Sequence, residues 1–503
     1  MILGRPGVVD CLVNFPLPVA YPMLFYKFLT SPMKTVPRLT LLSFAFLASC
    51  SVGPNYQGAL PLDVAQPFTT PGADDSSTGD VTTWWRKFNE TKLNSLIARS
   101  LEANQDLKIA ASRVAEAKAA RTIARADFYP QVNAGAGAVR SQTSEAASQP
   151  GFGGQTSNFF NLNLDASWEP DIFGGTRRNV EAATADVQAA AENMRDVRVG
   201  LVAEIATAYL ELRGSQARRS VAERNLKSQR DTLELTKNRQ AAGVANDLDV
   251  ARAEAQTEAT AATLPVFEAN LRRSIYRLGV LLGGAPGSVT DELIAARAQP
   301  VAPPAVPVGL PSDLVRRRPD VRRSERELAA ATARIGVAVA DLYPKFSLTA
   351  RVGTSGIEAE ELFKGKGGLW SLGPSLNWPV FTAGKIRANI AVQNARQEQS
   401  ALRFEKTIYL ALEDVESSLI SFGQEQKRYA SLTRSVNATR RASSLANERY
   451  KAGLENFLTV LEADRQLLAA EDAQVSSQTQ VSLNLVRLYK ALGGGWGTAR
   501  VKR

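Results

Sequence analysis

Histidine is absent from the 503-residue chain, and cysteine occurs only as Cys11 and Cys50. Without imidazole there is no Ser-His-Asp or Cys-His catalysis and no His-ligated zinc, and two thiols cannot complete a four-thiolate site. Long apolar runs are also missing. The stretch from Cys11 to Thr30 is broken by Asn14, Pro16, Pro18, Pro22 and Lys27, short of the roughly 20 mostly apolar residues that a spanning helix requires. A carboxylate pair can hydrolyse without histidine, but no Asp or Glu pair stands outside the repeat pattern described below. An enzyme, a metalloprotein and a polytopic helical membrane protein are therefore all poor readings. At 44% hydrophobic and 22% charged residues, a disordered chain is equally poor.

What is present begins at a second methionine. Met33-Lys34-Thr35-Val36-Pro37-Arg38 forms a short positive region, Leu39 to Leu47 an apolar one, and small residues then precede Cys50. This is the layout of a secretory signal, too short to span. Leu47-Ala48-Ser49-Cys50 resembles a bacterial lipoprotein cleavage box, which implies diacylglyceryl on the Cys50 thiol and an acyl chain on its freed amine; Ser51 resembles the pattern sorted to the outer membrane. Residues 1–49 are thus expected to be an upstream extension to Met33 plus the signal, and 50–83, rich in turn formers and without a sustained period, a lipidated extended tether.

Comparing the chain with itself organises the rest. Arg239-Gln-Ala-Ala-Gly243-Val-Ala-Asn246-Asp-Leu248 aligns without gaps to Arg449-Tyr-Lys-Ala-Gly453-Leu-Glu-Asn456-Phe-Leu458 at an offset of 210. Ala126-Asp-Phe-Tyr-Pro130 matches Ala340-Asp-Leu-Tyr-Pro344 at an offset of 214. The chain divides into a first repeat (84–285), a Pro-rich connector (286–311), a second repeat (312–496) and a tail (497–503). Each repeat opens with a helical stretch, Trp84 to about Asp127 or Leu310 to about Leu342, stopped at Tyr-Pro. Alternating segments follow: Val132–Val139 and Phe160–Trp168, then Phe346–Val352 and Leu372–Trp378. A period of two, apolar on one face and polar on the other, suits a wall between lipid and water.

Beyond Phe173-Gly174-Gly175 and Phe381-Thr382-Ala383-Gly384 the period becomes helical. Phe404, Ile408, Leu412, Val415, Leu419 and Phe422 recur at steps of 4, 4, 3, 4 and 3, a coiled-coil seam that Leu201, Ile205, Tyr209 and Leu212 echo. A break at Gly243 or Gly453 and a return helix to about Leu282 or Leu492 make each repeat a long antiparallel hairpin, roughly 100 Å tall at 1.5 Å per residue. Four strands cannot close a barrel, and open edges are not tolerated in a bilayer. The expectation is a homotrimer: twelve strands closed into an outer-membrane barrel and continued by a helical barrel.

The chain resembles the TolC-like outer-membrane efflux family, and within it the NodT-type lipoprotein branch. The likeness rests on Cys50-Ser-Val-Gly53-Pro54-Asn55-Tyr56; Trp84-Trp85 with Phe88, Leu93, Leu96 and Ile97; Leu310-Pro-Ser-Asp-Leu-Val-Arg-Arg-Arg-Pro-Asp-Val321; the two Asp-x-Tyr-Pro sites; Arg449-Tyr450 with Gly453; and Leu488-Tyr-Lys-Ala-Leu-Gly-Gly-Gly-Trp496. It implies a passive exit duct in the outer membrane of a Gram-negative bacterium, its helical barrel in the periplasm. It further implies a periplasmic adaptor and an inner-membrane pump, proton-driven by expectation, with no cofactor beyond the lipid. A non-conducting coiled-coil envelope lipoprotein or adaptor is the alternative, disfavoured because it needs no lipid-facing strands.

The resemblance also implies a gate at the helical tip. Carried across, it falls on Leu458, Glu462 and Arg465, with Glu455 near the turn, and on Asp247, Asp249 and Arg252 in the first repeat. Leu458 and Glu462 are four apart and Glu462 and Arg465 three apart, so one helix face can carry all three. Three-fold symmetry would make them an apolar ring, an acidic ring and a set of arginines that hold neighbouring helices by ion pairs. The formal charge of +10 and the run Arg316-Arg317-Arg318 with Arg322 and Arg323 raise nucleic-acid binding. An exported chain does not meet cytoplasmic nucleic acid, so that partner is not expected.

Overall fold

The computed structural model describes residues 51–58, 81–147, 153–303 and 317–497. The expectations for the signal, Cys50, residues 59–80 of the tether, residues 304–316 and residues 498–503 of the tail lie outside the described residues.

Each half runs through helix, two strands, a long helix and a return helix. In the first half a 3₁₀ turn (Trp84–Phe88), α1 (Thr91–Ala103) and α2 (Gln105–Ala126) precede β1 (Gln131–Gln142) and β2 (Thr156–Trp168). Helix α3 (Gly175–Ala241) then runs 67 residues, and α4 (Asp247–Ala261) and α5 (Leu264–Leu281) return. A one-turn α6 (Thr290–Leu293) lies in the connector. In the second half α7 (Pro319–Ala340) leads to β3 (Lys345–Gly356) and β4 (Gly368–Asn377); α8 (Lys385–Lys451), again 67 residues, is followed by α9 (Phe457–Ala491).

Two expected continuous stretches are broken. The first helical stretch divides at Asn89, which has φ 53°, and at Asn104. Asn104 uses both ends of its amide: it accepts the Leu107 N–H at 3.1 Å and donates to the Leu281 carbonyl at 2.9 Å, so its side chain satisfies one backbone group on each side of the break. The first return helix breaks at Ala262–Thr263 because Pro265 has no N–H to give the Ala261 carbonyl and restricts Leu264. Its counterpart α9 contains no proline and runs 35 residues without interruption.

The four strands form one antiparallel sheet in the order β1-β2-β3-β4. Helix α3 packs on α2 and α7, and α7 on α8, so the helices form a layer in the order α2-α3-α7-α8 above the hairpins; below, α3 packs against α4, α5 and α9, and α9 against α8. The core lies at mid-height. Trp84 stacks on Tyr489 with ring centroids 5.1 Å apart and meets Trp85 and Phe88 edge-on, while Leu93, Leu96, Ile97, Ile205, Tyr209 and Leu485 close around them. Burial pushes the Tyr489 hydroxyl up to about 12. The α8 seam is buried as its spacing predicts, except that Leu412 is only half-buried and Ala411 takes the deeper place.

Candidate functional site

The sheet register sorts the strands into two faces. Leu164 pairs with Ala134 and Val352, and Val352 with Trp370; Ala350 pairs with Leu372, and Phe346 with Leu376. Paired residues share a face, so Phe160, Leu162, Leu164, Leu348, Val352, Trp370, Leu372 and Leu376 make one apolar surface. Within one chain it has no cover: Trp370 is 80% exposed and Leu372 62%. The opposite face carries Asn133, Asn161, Asn163, Asp165, Ser347, Thr349, Arg351, Ser371 and Ser375. There Asn161 Nδ2 donates to Asn163 Oδ1 at 2.8 Å, Asn163 donates to Asp165, and Asp165 pairs with Arg351.

At the helix-side end of the sheet the two halves repeat one contact. The Trp168 indole N–H donates to the Phe128 carbonyl at 3.0 Å and that of Trp378 to the Leu342 carbonyl at 3.1 Å, each oxygen belonging to an Asp-x-Tyr-Pro site. These carbonyls are left over where Tyr-Pro stops the helix. Phe173 stacks on Tyr343 at the same level, with centroids 4.8 Å apart. Half-exposed indoles at a wall's edge suit the boundary between lipid and water.

The far ends of the hairpins turn identically. Gly243 and Gly453 have φ 72° and 74°; Val244 N–H reaches the Arg239 carbonyl, and Leu454 N–H the Arg449 carbonyl, both at 2.9 Å. Only glycine adopts this left-handed C-cap without strain. Three residues on, Asn246 caps α4 by accepting the Asp249 N–H at 2.8 Å, and Asn456 caps α9 by accepting the Thr459 N–H at 3.1 Å. The Gly-x-x-Asn spacing is thus the turn itself.

Among the predicted tip residues, Leu458 is 51% exposed, and Glu462 accepts from Gln466 at 2.9 Å along its own helix. Glu455 accepts from Thr459 Oγ1 at 3.1 Å and lies 3.5 Å from Arg449. Arg465 reaches a neighbouring helix within its own chain through a neutral partner. It makes no ion pair with Glu462 among the described residues; its Nε donates to Gln256 Oε1 on α4 at 2.6 Å, tying the two hairpins of one protomer together. In the first repeat, Asp247 accepts from Gln240 at 2.7 Å, and Asp249 sits 3.9 Å from Arg252.

Two tip features lie outside the sequence-derived set. Arg239 crosses from α3 to donate to the Tyr450 carbonyl at 2.6 Å, with its guanidinium 4.5 Å from the Tyr450 ring centroid. Asp464 turns inward, accepting from Ser443 Oγ at 2.6 Å and Asn447 Nδ2 at 3.3 Å; burial raises its pKa and these bonds offset part of the rise. The recurrence of Arg in both repeats marked Arg239; nothing in the sequence separates Asp464 from the exposed acids. Three arginines of the basic cluster are likewise paired inside the fold: Arg318 with Asp320 and Asp414, Arg322 with Glu192 and Arg323 with Asp196.

A twisted wall, apolar on one face and polar on the other, carried on paired helical hairpins and unpaired at both edges, defines one segment of a membrane duct. The chain belongs to the outer membrane efflux protein family, whose model matches residues 96–284 and again 310–494. It is 34% identical to "Nodulation protein T" of Rhizobium leguminosarum bv. trifolii, covering 92% of this chain and 97% of that one. It is also 34% identical to "Toluene efflux pump outer membrane protein TtgF" of Pseudomonas putida, over 92% and 98% of the two chains. Among solved structures, the outer-membrane channel OprN is matched at 36% identity and a TM-score of 0.81, over 89% of this chain and 100% of that one. The open state of the Neisseria gonorrhoeae MtrE channel is matched at 30% and 0.79, over 89% and 98%. The protein is an outer-membrane channel of the efflux class, with its sheet in the outer membrane and its helices on the periplasmic side. Several of its relatives are named as outer membrane proteins of efflux pumps.

Proposed function

We propose that three copies of this chain form one passive duct, which carries cargo from an inner-membrane pump and a periplasmic adaptor to the exterior. One observation carries the reading. One edge of the sheet, β1, and one edge of the helix layer, α2, belong to the first repeat, while the other edges, β4 and α8, belong to the second, and both kinds of edge are unsatisfied. The outer strands lack one ladder partner, and Ile109 and Ile123 on α2 and Leu402, Tyr409, Leu410 and Ile420 on α8 are exposed. Pairing β4 of one copy with β1 of the next also seats α8 against the next α2. Three repeats of that contact close twelve strands with no edge left in the bilayer.

At rest the tip is held shut by Leu458, Glu462 and the Arg465–Gln256 bond, with Glu455, Asp247, Asp249 and Arg252 setting charge around it. Opening requires α8 and α9 to move away from α4, which breaks that bond. Diacylglyceryl and N-acyl groups on Cys50 anchor the amino-terminal segment in the outer membrane. The names of the relatives support the pump partnership, since several are outer membrane proteins of toluene, antibiotic or solvent efflux pumps.

The test is a heat-modifiable trimer band and single-channel recording in planar bilayers. The trimer should conduct weakly, and Glu462→Ala with Arg465→Ala should raise its conductance severalfold. A monomer, or a trimer whose conductance the double variant leaves unchanged, overturns the assembly or the gate respectively.

A further inference from the structure

One buried cation plays no part in the wall or the tip. The Arg178 side chain, in the first turn of α3, is only 3% exposed. Its Nε donates to the Val52 carbonyl at 3.0 Å, and Nη2 donates to the Gly53 carbonyl at 3.2 Å and to Asn55 Oδ1 at 2.6 Å; Nη1 meets Glu181 at 2.8 Å. A buried guanidinium needs its donors satisfied, and here three of its acceptors come from a chain segment more than 120 residues away.

The segment is shaped for the seat. Gly53 has φ +86°, and a Cβ there would stand 2.5 Å from the Gly336 Cα, while a Cβ on Gly336 would stand 2.7 Å from the Arg178 stem. Two backbones and one side chain cross where neither glycine position admits another residue. Val52 N–H donates to the Phe173 carbonyl at 3.2 Å, and farther along Tyr56 donates to Glu325 at 3.1 Å and covers Ala185, Ala329 and Ala330. The strap therefore runs along the α3–α7 pair, with Ser51 packed on Gly174. Gly174 follows Phe173, whose ring stacks on Tyr343, beside the carbonyl that accepts the Trp378 indole. The Ser51 end of the strap is thus held at the level of the indole belt.

We propose that Arg178 is a positioning residue that fixes the start of the mature chain at the boundary of the membrane, so that a lipid on Cys50 and the strand wall enter the same leaflet in register. This rests on the reading of Cys50 as the lipid anchor, but the docking of the strap does not require the lipid.

The experiment places a spin label at Val52→Cys in the full-length trimer, reconstituted in phosphatidylethanolamine–phosphatidylglycerol vesicles, and reads mobility and depth by power saturation. With Arg178 present the label should be immobile and at the bilayer boundary. Arg178→Ala should make it mobile and move it into water, and Arg178→Lys should restore part of the order, a graded rescue that general loss of stability does not produce. Gly53→Ala should release the strap in the same way with Arg178 intact, and serves if Arg178→Ala fails to trimerise. An immobile label at unchanged depth in either trimeric variant overturns the proposal. Cys50→Ser separates the two readings: the label should stay immobile while incorporation of radiolabelled palmitate into the protein is lost. Palmitate incorporation that is absent with Cys50 present, or unchanged by Cys50→Ser, sinks the lipid anchor and, with it, the purpose assigned to Arg178.

Discussion

The two halves carry matching elements, yet matching residues do different work. Arg239 and Arg449 occupy the same repeat position two residues inside the end of a 67-residue helix. Arg239 bonds the Tyr450 carbonyl and lies over its ring, whereas Arg449 is 59% exposed and its side chain pairs with Glu455 at 3.5 Å. The helices differ too. Helix α3 is sandwiched between α2 and α7 and buries residues all round, while α8 buries one seam and leaves Leu402, Leu410 and Ile420 open. Duplication supplied two equal hairpins; the closed layer needs one in the middle and one at an edge, and the side chains follow the place rather than the ancestry. The first return helix is broken and the second continuous, so the two hairpins also present different stiffness at the tip.

Substitution at paired positions sharpens or breaks this contrast. The largest effect is expected at Ile205, fully buried in α3: Ile205→Ala should cost about 3–5 kcal/mol and Ile408→Ala, in the single seam of α8, about 2–4 kcal/mol. Thermal dissociation of the trimer reads both, and equal losses would erase the distinction between middle and edge. Next, Arg239→Ala should cost about 1–3 kcal/mol, because the Tyr450 carbonyl loses a charged donor, against at most about 0.5 kcal/mol for Arg449→Ala, an exposed pair. If the order reverses, the repeat positions are equivalent after all.

The turn glycines should behave alike. Gly243→Ala and Gly453→Ala each force a Cβ into left-handed geometry, about 1–2 kcal/mol apiece, read as faster amide exchange confined to the altered tip. The smallest effect concerns pH and belongs to the second half alone. Asp464 has a raised pKa in the folded protein, from burial first, so the native state holds its proton more firmly than the unfolded chain. Stability contributed by the tip should therefore be fullest below the ordinary aspartate value of 3.8 and fall as pH rises through the raised folded value. Asp464→Asn should flatten that slope, seen as tip exchange that no longer quickens with pH beyond its chemical rate.

Much of this was legible beforehand. The alternation in Phe160–Trp168 and Phe346–Val352 names the sheet's two faces, Tyr-Pro places the helix stops, and Gly-x-x-Asn writes both tip turns, each through rules that act over a few residues. Pro265 also predicts the break in the first return helix, although the expected hairpin ran through it. Asn104 was not legible, since its break is stabilised by the Leu281 carbonyl, 177 residues away in sequence. The candidate gate divides in the same way. Leu458, Glu462 and Arg465 can share a face by spacing alone, but the choice of Gln256 as the partner of Arg465 is one that no spacing along α9 reveals.

The sequence by itself determined the repeat, the wall with two unlike faces and the long hairpins, because periodicity is a local property. Only the tertiary structure decided which arginine is spent where: Arg239 on a partner hairpin, Arg318 on Asp320 and Asp414, and Arg178 on the strap at Val52 and Gly53. A guanidinium is recognised in sequence only as a charge. Its role is set by which oxygens the fold brings within about 3 Å of it, and for these arginines, Asp320 beside Arg318 apart, those oxygens come from segments far away along the chain.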